Sequence, residues 1–161
     1  MMMTEKENGI STIIRDRGIL TEFKFSESFV SPRFLTTTPV VLSTITLRID
    51  DTANQVWLNA IVNWAISAGA VTGTADLLFE ILRGNAVIYS IAQSGVFLPG
   101  SSTLFNAQLQ HVDDNPLGGV NITPAFVQYQ LRVTPLVVPE LITVSTLSQV
   151  FTAAELKPAI C

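Results

Sequence analysis

Hydrophobic and polar residues alternate along most of this chain, and the clearest alternation lies in its middle. From Gln55 the chain reads Gln-Val-Trp-Leu-Asn-Ala-Ile-Val-Asn-Trp-Ala-Ile. Val56, Leu58, Ala60, Val62, Trp64 and Ile66 fall on one face; Trp57, Asn59, Ile61, Asn63 and Ala65 fall on the other. Successive Cβ atoms of a strand point to opposite faces, so this pattern predicts a half-buried β-strand. Two further apolar runs, Ala75–Arg83 and Ala86–Gln93, are separated by Gly84-Asn85. Both of those residues tolerate positive φ, which predicts a hairpin closed by a primed turn. The stretch from Gln55 to Gln93 is therefore the expected centre of an antiparallel sheet.

The flanking sequence repeats the pattern. Thr36 to Ile49 reads as a strand with Val41, Ser43, Ile45, Leu47 and Ile49 on one face and Thr44, Thr46 and Arg48 on the other. Ser94 to Ser102 reads as a loop. Leu104 to Val112 alternates Phe105, Ala107, Leu109 and His111 with Asn106, Gln108 and Gln110. A long loop over 113–124 leads to Ala125–Val133, where Val127, Tyr129, Leu131 and Val133 share a face. A last strand is expected from Leu141 to about Thr152, with at most a single helical turn over Thr152–Leu156. About eight strands without a helical period predict an all-β fold, an antiparallel jelly-roll β-sandwich with an extended N-terminal arm.

Charge subdivides that picture. Nearly half of the charged residues lie in the first 33 positions, so a break is expected near Ser31-Pro32. The expected units are an arm (1–31), the sandwich (32–156) and a short tail (157–161). Within the arm, Ile10-Ser-Thr-Ile-Ile-Arg and Ile19-Leu-Thr-Glu-Phe-Lys-Phe both read as short strands. One reading makes them edge strands of a frayed terminus. The other makes Ile10, Ile13, Ile14, Ile19, Leu20, Phe23 and Phe25 a contact surface that pairs with a neighbouring subunit's sheet edge.

Composition favours contact with other molecules. In 161 residues, 48% are hydrophobic and 14% charged, well below the roughly 25% charged content usual for globular domains. So few charges leave much neutral, partly apolar surface, which suggests a protein that lives in contact with copies or partners. A net charge of −4 and no basic run argue against nucleic acid. No apolar run is long enough for a membrane span, and the acidic start Met-Met-Met-Thr-Glu-Lys-Glu lacks the pattern of a signal peptide. The single cysteine, Cys161, allows no internal disulfide but is a candidate for an intermolecular one.

Reactive groups are sparse. One histidine, His111, sits at an inward position and reads as a core-edge residue rather than a general base or ligand. The nucleophile elbow and phosphate-binding glycine loops are missing. Asp50-Asp51 and Asp113-Asp114 fall in expected loops and read as turn formers, with a surface calcium site as the alternative. No catalytic, cofactor or metal residue is therefore assigned, and the chain is expected not to be an enzyme. A row of amides (Asn59, Asn63, Gln108, Gln110, Gln128 and Gln130) reads as a solvated sheet face. Trp57 beside it suits a subunit interface or a stacked sugar ring. A sandwich hydrolase is the most distant possibility, with the two aspartate pairs as its available carboxylates.

The runs Asn54-Gln-Val-Trp-Leu-Asn-Ala-Ile-Val and Asp76-Leu-Leu-Phe-Glu-Ile-Leu-Arg-Gly-Asn-Ala-Val-Ile-Tyr-Ser resemble the exosporium protein C family of endospore-forming bacteria. The Leu104–Asp113 and Phe126–Val133 strands and the ending with Phe151-Thr-Ala-Ala continue the resemblance, over about residues 36–156. It implies a small jelly-roll sandwich and a structural role in the spore's outermost layer or its appendages. The expected partners are then copies of itself and other spore-surface proteins. The expected place of synthesis is the mother-cell cytoplasm, without a signal peptide. The alternative is a carbohydrate-binding or receptor-binding jelly-roll module.

Overall fold

The computed structural model describes residues 19–28 and 32–158. They form nine strands: β1 (Ile19–Ser28), β2 (Arg33–Leu35), β3 (Val40–Ile49), β4 (Gln55–Ala68), β5 (Gly73–Arg83), β6 (Ala86–Phe97), β7 (Ser102–Asp113), β8 (Ala125–Val137) and β9 (Ile142–Lys157). The strands make two antiparallel sheets packed face to face. The first has the order β1-β9-β4-β7, with β2 also pairing on β9; the second has the order β3-β8-β5-β6. Within these sheets β2 pairs with β9, β3 with β8, β4 with β7 and β5 with β6. The chain is thus one long hairpin, tipped by Gly84-Asn85 and wound so that successive pairs alternate between sheets.

The core lies where period two places it. Val56, Leu58, Ala60, Val62, Trp64 and Ile66 of β4 are all fully buried, facing Leu77, Phe79 and Ile81 of β5 and Tyr129, Leu131 and Val133 of β8. Trp64 stacks on Phe105 with ring centroids 4.4 Å apart. Its indole N–H donates to Gln93 Oε1 at 2.7 Å, which satisfies its polar edge. That packing needs a glycine opposite: a Cβ on Gly95 would stand 2.6 Å from the Trp64 ring and 2.7 Å from Ile66. At the hairpin tip Gly84 has φ 57, while Asn85 does not take positive φ, so the turn places its glycine first.

The structure departs from the sequence expectations at several places. Val41 is exposed and Leu42 buried, because the β3–β8 register slips between Val41 and Ser43 and reverses the alternation. The loop expected from Ser94 is strand as far as Phe97, since Gly73 and Thr74 extend the pairing of β5 with β6. Thr152–Leu156 is strand, and no helix occurs among the described residues. Ile19–Ser28, grouped with the arm on charge, is drawn into the sandwich as an edge strand on β9 from Ile19↔Lys157 to Ser28↔Gln149.

Candidate association face

Cross-strand neighbours lie about 5 Å apart, so the register of the first sheet fixes which side chains share its outer face. One row runs Phe23, Ala154, Trp57, Val112; the next runs Phe25, Thr152, Asn59, Gln110. Leu20 and Leu156 continue the surface on one side, and Val150, Ile61 and Gln108 on the other. Trp57 is 44% exposed, Phe23 51%, Phe25 62% and Val112 48%. Phe23 and Phe25 stack with centroids 6.3 Å apart, so β1 presents one aromatic ridge. Glu27, at the end of β1, is the one ionisable side chain that the register puts on this face among the described residues.

Four of the sequence-singled residues, Leu20, Phe23, Phe25 and Trp57, thereby meet on one surface. Trp57 and β1 are far apart in sequence, and β9 between them brings them together through the small side chain of Ala154. Ile19 pairs with Lys157 at the strand's end, in the opposite phase to Leu20. Ile10, Ile13, Ile14 and Cys161 lie outside the described residues.

The amide row is divided by the fold. Asn59, Asn63, Gln108 and Gln110 stand on the first sheet, but Gln128 and Gln130 stand on β8 in the second. Asn106, which shares the first sheet, donates to Asn63 Oδ1 at 2.8 Å, and Asn63 donates to Ser148 Oγ at 2.9 Å. These amides satisfy one another beside the apolar ridge. Gln130 and Gln128 form their own contact at 3.3 Å.

The outer face of the second sheet is built differently. Arg132 Nε and Nη2 donate to the two oxygens of Glu80 at 2.8 and 3.0 Å, and Thr134 Oγ1 donates at 2.6 Å. Burial pushes the Glu80 carboxyl up, but the Arg132 guanidinium and the Thr134 hydroxyl outweigh it and hold it below the ordinary carboxylate range. The same pair raises Arg132 above its usual value.

The groups considered for chemistry are occupied structurally. His111 is half-buried and stacks on Tyr89 at 5.2 Å, closing the side where β6 and β7 face each other. Asp51 Oδ1 accepts the Ala53 N–H at 2.9 Å, the turn-forming role expected of it. Asp113 does more than form a turn. Buried, it accepts Arg83 Nη1 at 2.8 Å and the Tyr129 hydroxyl at 2.9 Å, as well as the Asn115 N–H at 3.2 Å. Burial first, then the Asp113 charge, pushes the Tyr129 phenol far above its usual range. The sequence reading missed Glu155, which is fully buried and gathers three donors from two segments, β1 and the β3–β4 loop. It accepts the Asp50 N–H at 2.9 Å, Asn54 Nδ2 at 2.7 Å and the Thr21 hydroxyl. The signal was present: Phe151, Ala153 and Glu155 continue one inward alternation. Among the described residues no group of three His, Cys, Asp or Glu side chains is gathered to hold a metal.

No family model matches the sequence, and no curated protein matches it. Among solved structures, the chain is similar in fold to the T13 IBDV viral particle. The identity is 8%, over 83% of this chain and 31% of that one, with a TM-score of 0.44. It is also similar to dimeric latent PorU from Porphyromonas gingivalis, with 13% identity over 86% and 13% of the two chains and a TM-score of 0.39. A third similarity is to the infectious bursal disease virus VP2 subviral particle, with 11% identity over 88% and 38% of the chains and a TM-score of 0.38. The present chain spans less than half the length of each.

Proposed function

We propose that this protein is a non-enzymatic structural subunit that associates with copies of itself through the outer face of its first sheet. One observation carries the reading: Leu20, Phe23, Phe25, Trp57 and Val112 form a half-exposed apolar ridge on a face with a single ionisable side chain among the described residues. Apolar area removed from water contributes roughly 25 cal/mol per Å², and aromatic anchors dominate such contacts. The occupant is a second copy because a nearly uncharged face meets its own kind without like-charge repulsion, although the whole chain carries −4. The nested strand pairing supports reading the sandwich as a jelly roll. The resemblance to exosporium protein C supports a place on a bacterial spore surface, in the exosporium or an appendage. Asp113, Glu80 and Glu155 are consumed by internal hydrogen bonds, which favours a structural over a catalytic reading.

Sedimentation velocity over a concentration series tests the association. Wild-type protein is expected to shift to larger species with concentration, and Trp57→Ala to require at least a tenfold higher concentration. A protein that stays monomeric at every concentration overturns the proposal. A second reading, carbohydrate or receptor binding, is favoured by Trp57 standing beside the amides of Asn59 and Gln110. Saturable glycan binding lost in Trp57→Ala, without concentration-dependent assembly, selects that reading instead.

A further inference from the structure

The two side edges of the sandwich are unlike. At one, β1 and β3 lie against each other and carry Glu22, Lys24, Glu27 and Arg48. Glu22 Oε2 accepts the Arg48 backbone N–H at 2.6 Å, Lys24 lies 3.5 Å from Glu22, and Arg48 lies 3.1 Å from Asp50. Charges and ties of this kind guard an edge against pairing with another chain. At the other edge, β6 ends the second sheet, with β5 as its sole strand neighbour among the described residues. Its 12 residues include no Asp, Glu, Lys, Arg or Pro. Ser90, Ala92 and Ser94 give it small exposed side chains. Ile88, Tyr89 and Ile91 of β6 and Phe105 of β7 pack against the core there but stay partly exposed. Among the described residues, the side-chain ties between β6 and β7 are the Tyr89–His111 stack and Gln93 Nε2, which donates to the Asn106 carbonyl at 3.0 Å. A long uncharged edge beside partly exposed apolar side chains has the character of a strand acceptor.

We propose that β6 accepts an added strand from a second copy of this chain, supplied by residues 8–14. This rests on the self-association reading and names a second contact for it. Asn8-Gly-Ile-Ser-Thr-Ile-Ile is an uncharged run rich in β-branched residues, framed by Glu5, Lys6 and Glu7 before it and Arg15, Asp16 and Arg17 after. Neutral donor matches neutral edge. Laid along β6, alternate residues such as Ile10 and Ile14 would turn to one side, toward the partly exposed apolar side chains of β6 and β7, while backbone groups would pair with β6. The run joins β1 through residues 15–18, which span at most roughly 14 Å, about three strand spacings. Because β1 and β6 lie on opposite side edges, the donor side of one copy meets the acceptor side of the next. Such a head-to-tail contact repeats along a ring or a filament.

Hydrogen exchange and cross-linking on the full chain test this. Amides of Ala86–Phe97 are expected to gain protection as concentration drives assembly. The double variant Ser90→Lys/Ala92→Lys, changed only at exposed positions, is expected to lose that gain while keeping its melting temperature. In a mixture of Ser11→Cys and Ser90→Cys proteins, each also carrying Cys161→Ser, oxidation is expected to join one to the other. That cross-link does not depend on how the lysine variant folds. Assembly with β6 amides exchanging equally at every concentration overturns the β6 contact and leaves self-association standing. Ser90→Cys joined only to itself overturns residues 8–14 as the donor. A monomer at all concentrations overturns self-association and this contact together.

Discussion

The two outer faces of the sandwich are made from strands of similar length and pattern, yet they carry charge differently. On the second sheet, Glu80 is covered by Arg132 and Thr134, so its charge is neutralised within the face. On the outer face of the first sheet Glu27 is the one ionisable side chain among the described residues, and apolar rings stand half-exposed around Trp57. A face that satisfies itself contributes to the stability of one molecule. A face that leaves apolar area in water gains when a second molecule covers it. Stability and association should therefore separate between the Glu80 cluster and the Trp57 ridge.

The largest expected break in that comparison comes from Glu80→Ala. It strips the Arg132 guanidinium of its acceptor and is expected to cost about 2–3 kcal/mol of stability, read by denaturant unfolding. Association of the folded fraction should be unchanged; a parallel loss of association would mean the faces are coupled. Next is Trp57→Ala, expected to weaken self-association tenfold or more, about 1.4 kcal/mol. Its unfolding midpoint should move little, since Trp57 lies outside the core; a large drop would make the ring structural. pH sharpens the contrast further. Because the Glu80 carboxyl is held low in the folded state, its contribution is complete above the ordinary glutamate pKa. It is lost as pH falls through the depressed folded value. Glu80→Gln should flatten this part of the acid unfolding curve, and Trp57→Ala should leave it intact. The smallest effect is expected from Asn63→Ala. It removes a surface amide bridge between β7 and β9 at a cost of about 0.5 kcal/mol, measured as a small midpoint shift.

The inward set of β4 was legible because alternation is a local property, and six positions chosen by period two are all fully buried. Trp57 was legible as an outlier on the polar side of the same strand. Its neighbours were not. That Phe23 and Phe25 stand in adjacent rows with Trp57 and Asn59 depends on β9 lying between β1 and β4, a pairing across more than a hundred residues. The amide row failed for the same reason: Gln128 and Gln130 share the alternation of Gln108 and Gln110 but belong to another sheet. Val41 failed because a bulge costs one residue of phase and leaves little trace in composition. Glu155 escaped because a charged residue on an inward phase reads as the end of a strand until its donors are seen.

By itself, then, the sequence determined most of the strands, the hairpin tip, the buried side of β4, β7 and β8 and the scarcity of charge. Each of these follows from chemistry within a few neighbouring residues. The tertiary structure decided which strands became neighbours, and with that where Ile19–Ser28 docks, which amides share a face, and that the apolar ridge is one surface. The reason is that strand order is set by long-range hydrogen-bond partners and sheet-on-sheet packing, which alternation alone leaves undetermined.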